Sequence, residues 1–283
     1  MGNMKTKLAE DLFFNQQLLQ LYMISNKTFI GDYKTAFKGI GLDFYQNRLY
    51  SQDDSIRQIN WYLFAKLREL YVKEYIEDRN RYNVICLDIS KSMFIKIKKP
   101  YKMEQALGVA LLLLYSSLKV GDNTCFLLFS DDVKLFFPFK KNFNTFFQIF
   151  SCLKNLTVDL EASFECHKIF EKLFNILKKR AHIFLVSDFI FRLDEKLLQS
   201  LTQKHNLTAI TIIDDEERRI DSLLKNRSSF EYSSLLKQET YYETYYKNSS
   251  ILKKYNIDVV PISSINNPLS TLQNFLRSKR TVN

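Results

Sequence analysis

Val84-Ile85-Cys86-Leu87-Asp88-Ile89-Ser90-Lys91-Ser92 begins as an apolar run, reaches a carboxylate, and then places hydroxyls two and four residues further on. A short apolar run bounded by turn residues is the pattern of a buried strand. In an open α/β sheet, ligands bind outside the carboxyl ends of the strands. Asp88, Ser90 and Ser92 fall at that position, and oxygens gathered in one short loop suit a hard cation such as Mg²⁺. The same residues also read as a loop that turns the chain and caps the next helix.

Downstream, strands and helices alternate. Lys102 to Lys119 reads as a helix, nearly all apolar in its middle and so buried on the sheet, with Gly121 as its stop. Asn123–Ser130 and Val133–Phe137 read as a hairpin across Asp131-Asp132. Helices follow over residues 142–155 and 160–179. Ala181–Val186 is a strand that ends in Ser187-Asp188, followed by a helix (194–204), a strand (207–213), a last strand (257–262) and a last helix (268–278). Repeated βα units imply a mostly parallel central sheet with helices on both faces. Asp88 and Asp188 then close two strands on one edge. The loop Asn155-Leu156-Thr157-Val158-Asp159 offers Thr157 as a further oxygen.

Upstream, the spacing predicts a helix from Lys5 to Met23, an extended or turn-rich stretch from Leu42 to Tyr50, a helix from Trp61 to about Leu70, and a strand from Leu70 to Ile76. We divide the chain into an N-terminal helical and extended segment, residues 1–80, and an α/β domain, residues 81–283. A polar, Tyr-rich insertion at about 214–255 has no assignable pattern.

With 46% hydrophobic and 25% charged residues among 283, the chain is long and apolar enough for a sizeable core. Its net charge of +10 and pI near 9.2 admit nucleic acid, anionic lipid or an acidic protein as partner. The lysines are dispersed, which favours a solvated face over a nucleic-acid stripe. Four cysteines occur, none paired at metal-ligand spacing; Cys86 and Cys125 sit in apolar runs as core residues. A reducing cytoplasm fits this usage. The N-terminus lacks a signal-like apolar region, and the longest apolar run, Ala106–Leu118, is too short to span a bilayer.

Asp88-x-Ser90-x-Ser92-Met93, the buried helix after it, and Ser187-Asp188-Phe189 resemble the metal-ion-dependent adhesion site of a von Willebrand factor A domain. Tyr50-Ser51-Gln52-Asp53-Asp54-Ser55-Ile56-Arg57-Gln58-Ile59-Asn60-Trp61, with Val72-Lys73-Glu74 beyond it, is similar to the signature of the bacterial domain-of-unknown-function 58 family. The resemblance implies a Rossmann-like von Willebrand A fold and a non-enzymatic, cytoplasmic adaptor that works with a MoxR-type AAA+ ATPase. It also implies Mg²⁺ or Mn²⁺ held by Asp88, Ser90, Ser92 and Asp188, with one position open to a carboxylate of a partner protein.

The sequence departs from that pattern. Val158 stands where a Thr hydroxyl is expected, so Thr157 would have to supply it, and the cation is expected to be weakly held or absent. Asp53, Asp54 and Arg57 read as an internal ion pair, and Trp61 with Ile59 as core anchors. Lys96, Lys98 and Lys99 read as a solvated loop that can also give the rim of the site a positive field. Two other functions compete with the adaptor. One is a metal-dependent phosphohydrolase using Asp88 and Asp188, which lacks a second Asp after Asp88 and a suitably placed His. The other is a basic nucleic-acid binder. No small-molecule substrate is expected.

Overall fold

The strand beginning at Tyr82 lies in the middle of a six-stranded sheet. A computed structural model describes residues 5–7, 27–36, 42–52, 54, 56, 59–77, 81–95, 101–159, 166–217, 219, 241–263 and 267–281. Its strands are β1 (Lys5–Lys7), β2 (Leu42–Leu49), β3 (Tyr71–Glu77), β4 (Tyr82–Asp88), β5 (Asn123–Phe129), β6 (Val133–Lys140), β7 (Thr157–Asp159), β8 (His182–Ser187), β9 (Asn206–Ile213) and β10 (Asp258–Ser263). Its helices are α1 (Lys27–Ala36), α2 (Trp61–Leu67), α3 (Lys102–Val120), α4 (Asn144–Asn155), α5 (Cys166–Ile176), α6 (Glu195–Lys204), α7 (Tyr241–Lys254) and α8 (Pro268–Thr281). The chain forms two compact units, one of Met1–Ala36 with Tyr82–Asn283 and one of Phe37–Arg81. Helix α1 therefore belongs with the main sheet rather than with the segment that follows it.

In the larger unit the strand order is β10-β9-β8-β4-β5-β6. All neighbours are parallel except β5 and β6, the expected hairpin. Strand β6 is an edge, and its alternating exposure and Pro138 suit that place. From β4 the chain builds outward through β5 and β6, then returns to the other side of β4 for β8, β9 and β10. The β4–β8 boundary is thus the topological switch point, where the crevice of an open α/β sheet opens.

Strands β4, β5 and β8 are buried almost throughout, as their apolar runs require. Val84 and Cys86 join a core with Phe170 and Leu173 of α5, Leu198 and Leu201 of α6, and Leu252 of α7. Helices α1, α3 and α8 pack together and α3 lies against β4 and β5, so the sheet is covered on both faces. Helix α3 is long and apolar enough to cross a membrane by length and composition, but 78% of that stretch is buried inside the fold. Gly121 ends it in the left-handed region (φ 87°), with its N–H donated to Leu118 O.

Some expectations change. Lys5–Lys7, expected to open a helix, form a strand antiparallel to β7, with Thr6 opposite Val158. Pairing with a distant strand overrides local periodicity there; the rest of the helix expected to Met23 lies outside the described residues. The insertion at 214–255 carries α7, a 14-residue helix.

The smaller unit is an antiparallel pair, β2 with β3, and helix α2 between them in sequence. Asp54, expected to pair with Arg57, is instead held by Arg48 through two bonds of 2.7 and 2.6 Å. Arg48 sits on β2 six residues earlier, so the fork meets the carboxylate across the turn. Arg57 and Asp53 lie outside the described residues. Asn60 caps α2 by accepting from Leu63 N at 3.3 Å and donates from Nδ2 to Asn47. Ile59 is buried, as an anchor should be, but Trp61 is 57% exposed. Trp61 opens helix α2, none of whose side chains is buried.

Candidate metal centre

Strands β4 and β8 run side by side in register, Leu87 opposite Val186. Their parallel pairing brings the ends Asp88 and Ser187-Asp188 together across a hundred residues of sequence. Asp88 is fully buried. Its Oδ1 accepts from Ser90 N at 2.7 Å, which fixes the loop as a tight turn. Its Oδ2 accepts from Ser187 Oγ at 2.5 Å. Burial, and after it the charge of Asp188, push Asp88 up to about 7 despite the bonds from Ser187 and Ser90.

In front of Asp88 the hydroxyls converge. Ser90 Oγ is 3.1 Å from Ser92 Oγ, and Ser92 Oγ donates to Asp188 Oδ1 at 3.2 Å. Of the residues expected to surround a cation, the structure joins four: Asp88, Ser90, Ser92 and Asp188. Ligands about 2.1 Å from Mg²⁺ in an octahedron lie roughly 3 Å from their neighbours. Ser92 Oγ has that spacing from both Ser90 Oγ and Asp188 Oδ1, and all three oxygens are hard donors. The residues present fit a divalent cation on this count.

Thr157 is not joined to them. It is exposed at the start of β7, opposite Lys7 of β1, and no hydrogen bond or ion pair links it to the four among the described residues. Pairing with β1 gives Thr157 a strand conformation in place of the loop that would present its hydroxyl. Lys96, Lys98 and Lys99 lie outside the described residues.

Other residues complete the centre without having been singled out in the sequence. Lys102, the first residue of α3, is 1% exposed and extends its ammonium to Asp188 Oδ2 (3.0 Å) and Glu217 Oε2 (2.7 Å). Burial is the largest influence on Lys102 and works against its charge. The Asp188 and Glu217 carboxylates together outweigh it and hold Lys102 above the ordinary lysine range. Glu217 is placed by Asp214, which follows β9 and accepts from Glu216 N (2.9 Å) and Glu217 N (3.3 Å) through Oδ1. Asp214 could have been found, because it too ends an apolar run. Lys102 had no such signal: a Lys before an apolar helix reads as solvated. The loop after Asp188 is held by Asn248 of α7, which donates to Phe189 O (2.8 Å) and Phe191 O (2.6 Å). Phe189 itself sits at φ 55°, a strained backbone for a residue with a Cβ.

Among the described residues no group of three or more His, Cys, Asp or Glu side chains is arranged to hold a metal. A centre here would depend on the serine hydroxyls.

The profile of a family described as protein of unknown function DUF58 matches residues 46–227. No curated protein matches. Among solved structures, the chain is similar to the conserved hypothetical protein BatB from Bacteroides thetaiotaomicron, at 10% identity and a TM-score of 0.47, over 72% of this chain and 100% of that one. It is similar to an aerotolerance-related membrane protein from Bacteroides fragilis, at 13% identity and a TM-score of 0.45, over 72% and 100%. A third is proximal thread matrix protein 1 from the mussel byssus, in a structure with a zinc-occupied MIDAS motif, at 14% identity and a TM-score of 0.37, over 71% and 47%.

Proposed function

Because the chain belongs to the DUF58 family, with a von Willebrand A-like sheet, we propose that it is a non-enzymatic interaction module that grips an acidic residue of a protein partner at the β4–β8 edge. The observation that carries this is the run of three oxygens, Ser90 Oγ, Ser92 Oγ and Asp188 Oδ1, at 3.1 and 3.2 Å successive spacing. Ser90, Ser92 and Asp188 would hold a Mg²⁺ or Mn²⁺ ion, and Asp88 would support the loop from behind. When bound, the ion would offer a positive, partly open coordination sphere to a carboxylate of the partner. With Thr157 unjoined, three protein oxygens form the set, and the ion is weakly held.

A MoxR-type AAA+ ATPase of the cytoplasm, or its client, is the partner that the family signature suggests. The phosphohydrolase alternative draws less support. A nucleophilic or metal-activating Asp needs a free oxygen facing substrate, whereas Asp88 is fully buried with both oxygens engaged. Dispersed lysines give a nucleic-acid interface no comparable focus.

Titration with Mn²⁺, followed by the loss of the free-ion signal in electron paramagnetic resonance, tests the centre. One equivalent should bind at millimolar concentration or below, and Ser92→Val should abolish it. Equal uptake by wild type and Ser92→Val would exclude this centre. Retention of the ATPase on the immobilised protein should then require Mg²⁺ and be lost with Ser92→Val.

A further inference from the structure

Lys102 supplies a cation that the fold already contains. Its ammonium lies 3.0 Å from Asp188 Oδ2, while the other oxygen of the same carboxylate faces Ser92 Oγ at 3.2 Å. One carboxylate thus stands between the two places where positive charge can sit. The environment is dry: Lys102 is 1% exposed, and the Asp188 side chain is fully buried. In such surroundings like charges a few ångströms apart repel strongly. We propose that Lys102 is a resident counter-ion which competes with the divalent cation for Asp188, so that the centre is assembled without metal and its metal affinity is set low. This rests on the cation reading given above, but its test has a separate outcome.

Glu217 sharpens the argument. It shares the Lys102 ammonium at 2.7 Å, so the ammonium is divided between two carboxylates and neither holds it alone. Removing Lys102 takes from the fully buried Asp188 carboxylate the cation that faces its Oδ2, and breaking a buried ion pair by removing one partner destabilises a protein strongly. A divalent cation at the serine hydroxyls would relieve that state. If Lys102 served only to orient Asp188 for the metal, its loss would weaken metal binding instead. The two roles give opposite signs.

The experiment compares the full-length wild type, Lys102→Met, Glu217→Gln and the double variant Lys102→Met/Ser92→Val. Each is read by Mn²⁺ titration and by thermal unfolding in EDTA and in Mn²⁺. Lys102→Met should unfold roughly 10 °C lower than wild type in EDTA, recover most of that shift in Mn²⁺, and bind Mn²⁺ at least about tenfold more tightly. The double variant should lose both the recovery and the tight binding, which assigns them to this centre. Glu217→Gln should bind Mn²⁺ more weakly than wild type, because the ammonium then leans more heavily on Asp188. Lys102→Met that binds no more tightly than wild type, or that stays unfolded in both EDTA and Mn²⁺, overturns the proposal. Uptake by Lys102→Met with none by wild type supports the counter-ion and removes the cation reading of the native protein. Equal tight uptake by both does the reverse.

Discussion

At the scale of single residues, the centre divides by how far each signal reaches along the chain. Asp88, Ser90 and Ser92 were legible because their spacing is local and the loop is closed by a bond two residues long, Ser90 N to Asp88 Oδ1. Asp188 was legible because its strand is parallel to β4. Lys102 and Glu217 were not, because their meaning depends on burial and on partners distant in sequence. His182 is a partly buried residue of the same illegible sort. Its ring stacks on Phe184 at 4.4 Å and its Nε2 meets Thr208 Oγ1 at 2.8 Å. Burial, and after it the charge of Lys279, lower its pKa to about 3. The folded state therefore binds fewer protons there than the unfolded state between pH 6.5 and about 3. His182 contributes stability above pH 6.5 that is lost as pH falls through that window, by at most about 1.4 kcal/mol per pH unit. His182→Gln should flatten this part of the slope in urea midpoints measured from pH 7 to pH 4. An unchanged slope would show that the imidazole is not held neutral by the fold.

Among the elements, long strands and the apolar helix α3 followed from composition alone, since each is buried nearly along its whole length. Helix α7 did not. Of its described residues only Asn248 and Leu252 are buried, one of them polar, so no apolar stripe marks its face. Its contribution is specific all the same. Asn248 is 2% exposed and its amide satisfies two carbonyls of the loop that follows Asp188. That loop contains Phe189 in the left-handed region, a conformation that costs roughly 1–2 kcal/mol for a residue other than glycine. Phe189 N donates to Ser187 Oγ at 2.9 Å, so the strained residue is held from both sides. Asn248→Ala leaves two buried carbonyls without their donor and should cost about 1–3 kcal/mol in chemical denaturation. A surface-like loss below about 0.5 kcal/mol would mean that the loop keeps its shape without α7.

On the scale of the whole molecule, the two units differ in what sustains them. Among the described residues the larger unit holds nearly all of the buried apolar side chains, on both faces of its sheet. Among the described residues of the smaller unit only Ile59 and Val72 are buried apolar residues, while Leu49, Ile56, Trp61, Tyr62, Phe64, Leu67 and Leu70 are exposed. Of the two anchors read from the family signature at residues 50–61, only Ile59 is buried, and Trp61 is not. A two-stranded pair on its own is marginal in water. The larger unit, by contrast, is joined across the interruption by its own contacts. Tyr33 Oη of α1 lies 3.0 Å from Asn83 Nδ2 of β4, within a buried group that includes Ser117 and Asp122. The chain therefore leaves and re-enters the larger unit at neighbouring places, and about six flexible residues, reaching roughly 20 Å when extended, suffice to connect them. Replacing residues 37–81 by such a Gly-Ser linker should leave a cooperative thermal transition within a few degrees of that of the full chain. The isolated 37–81 peptide should show no dispersed amide resonances. Loss of the cooperative transition in the linked protein would place essential stability in the smaller unit.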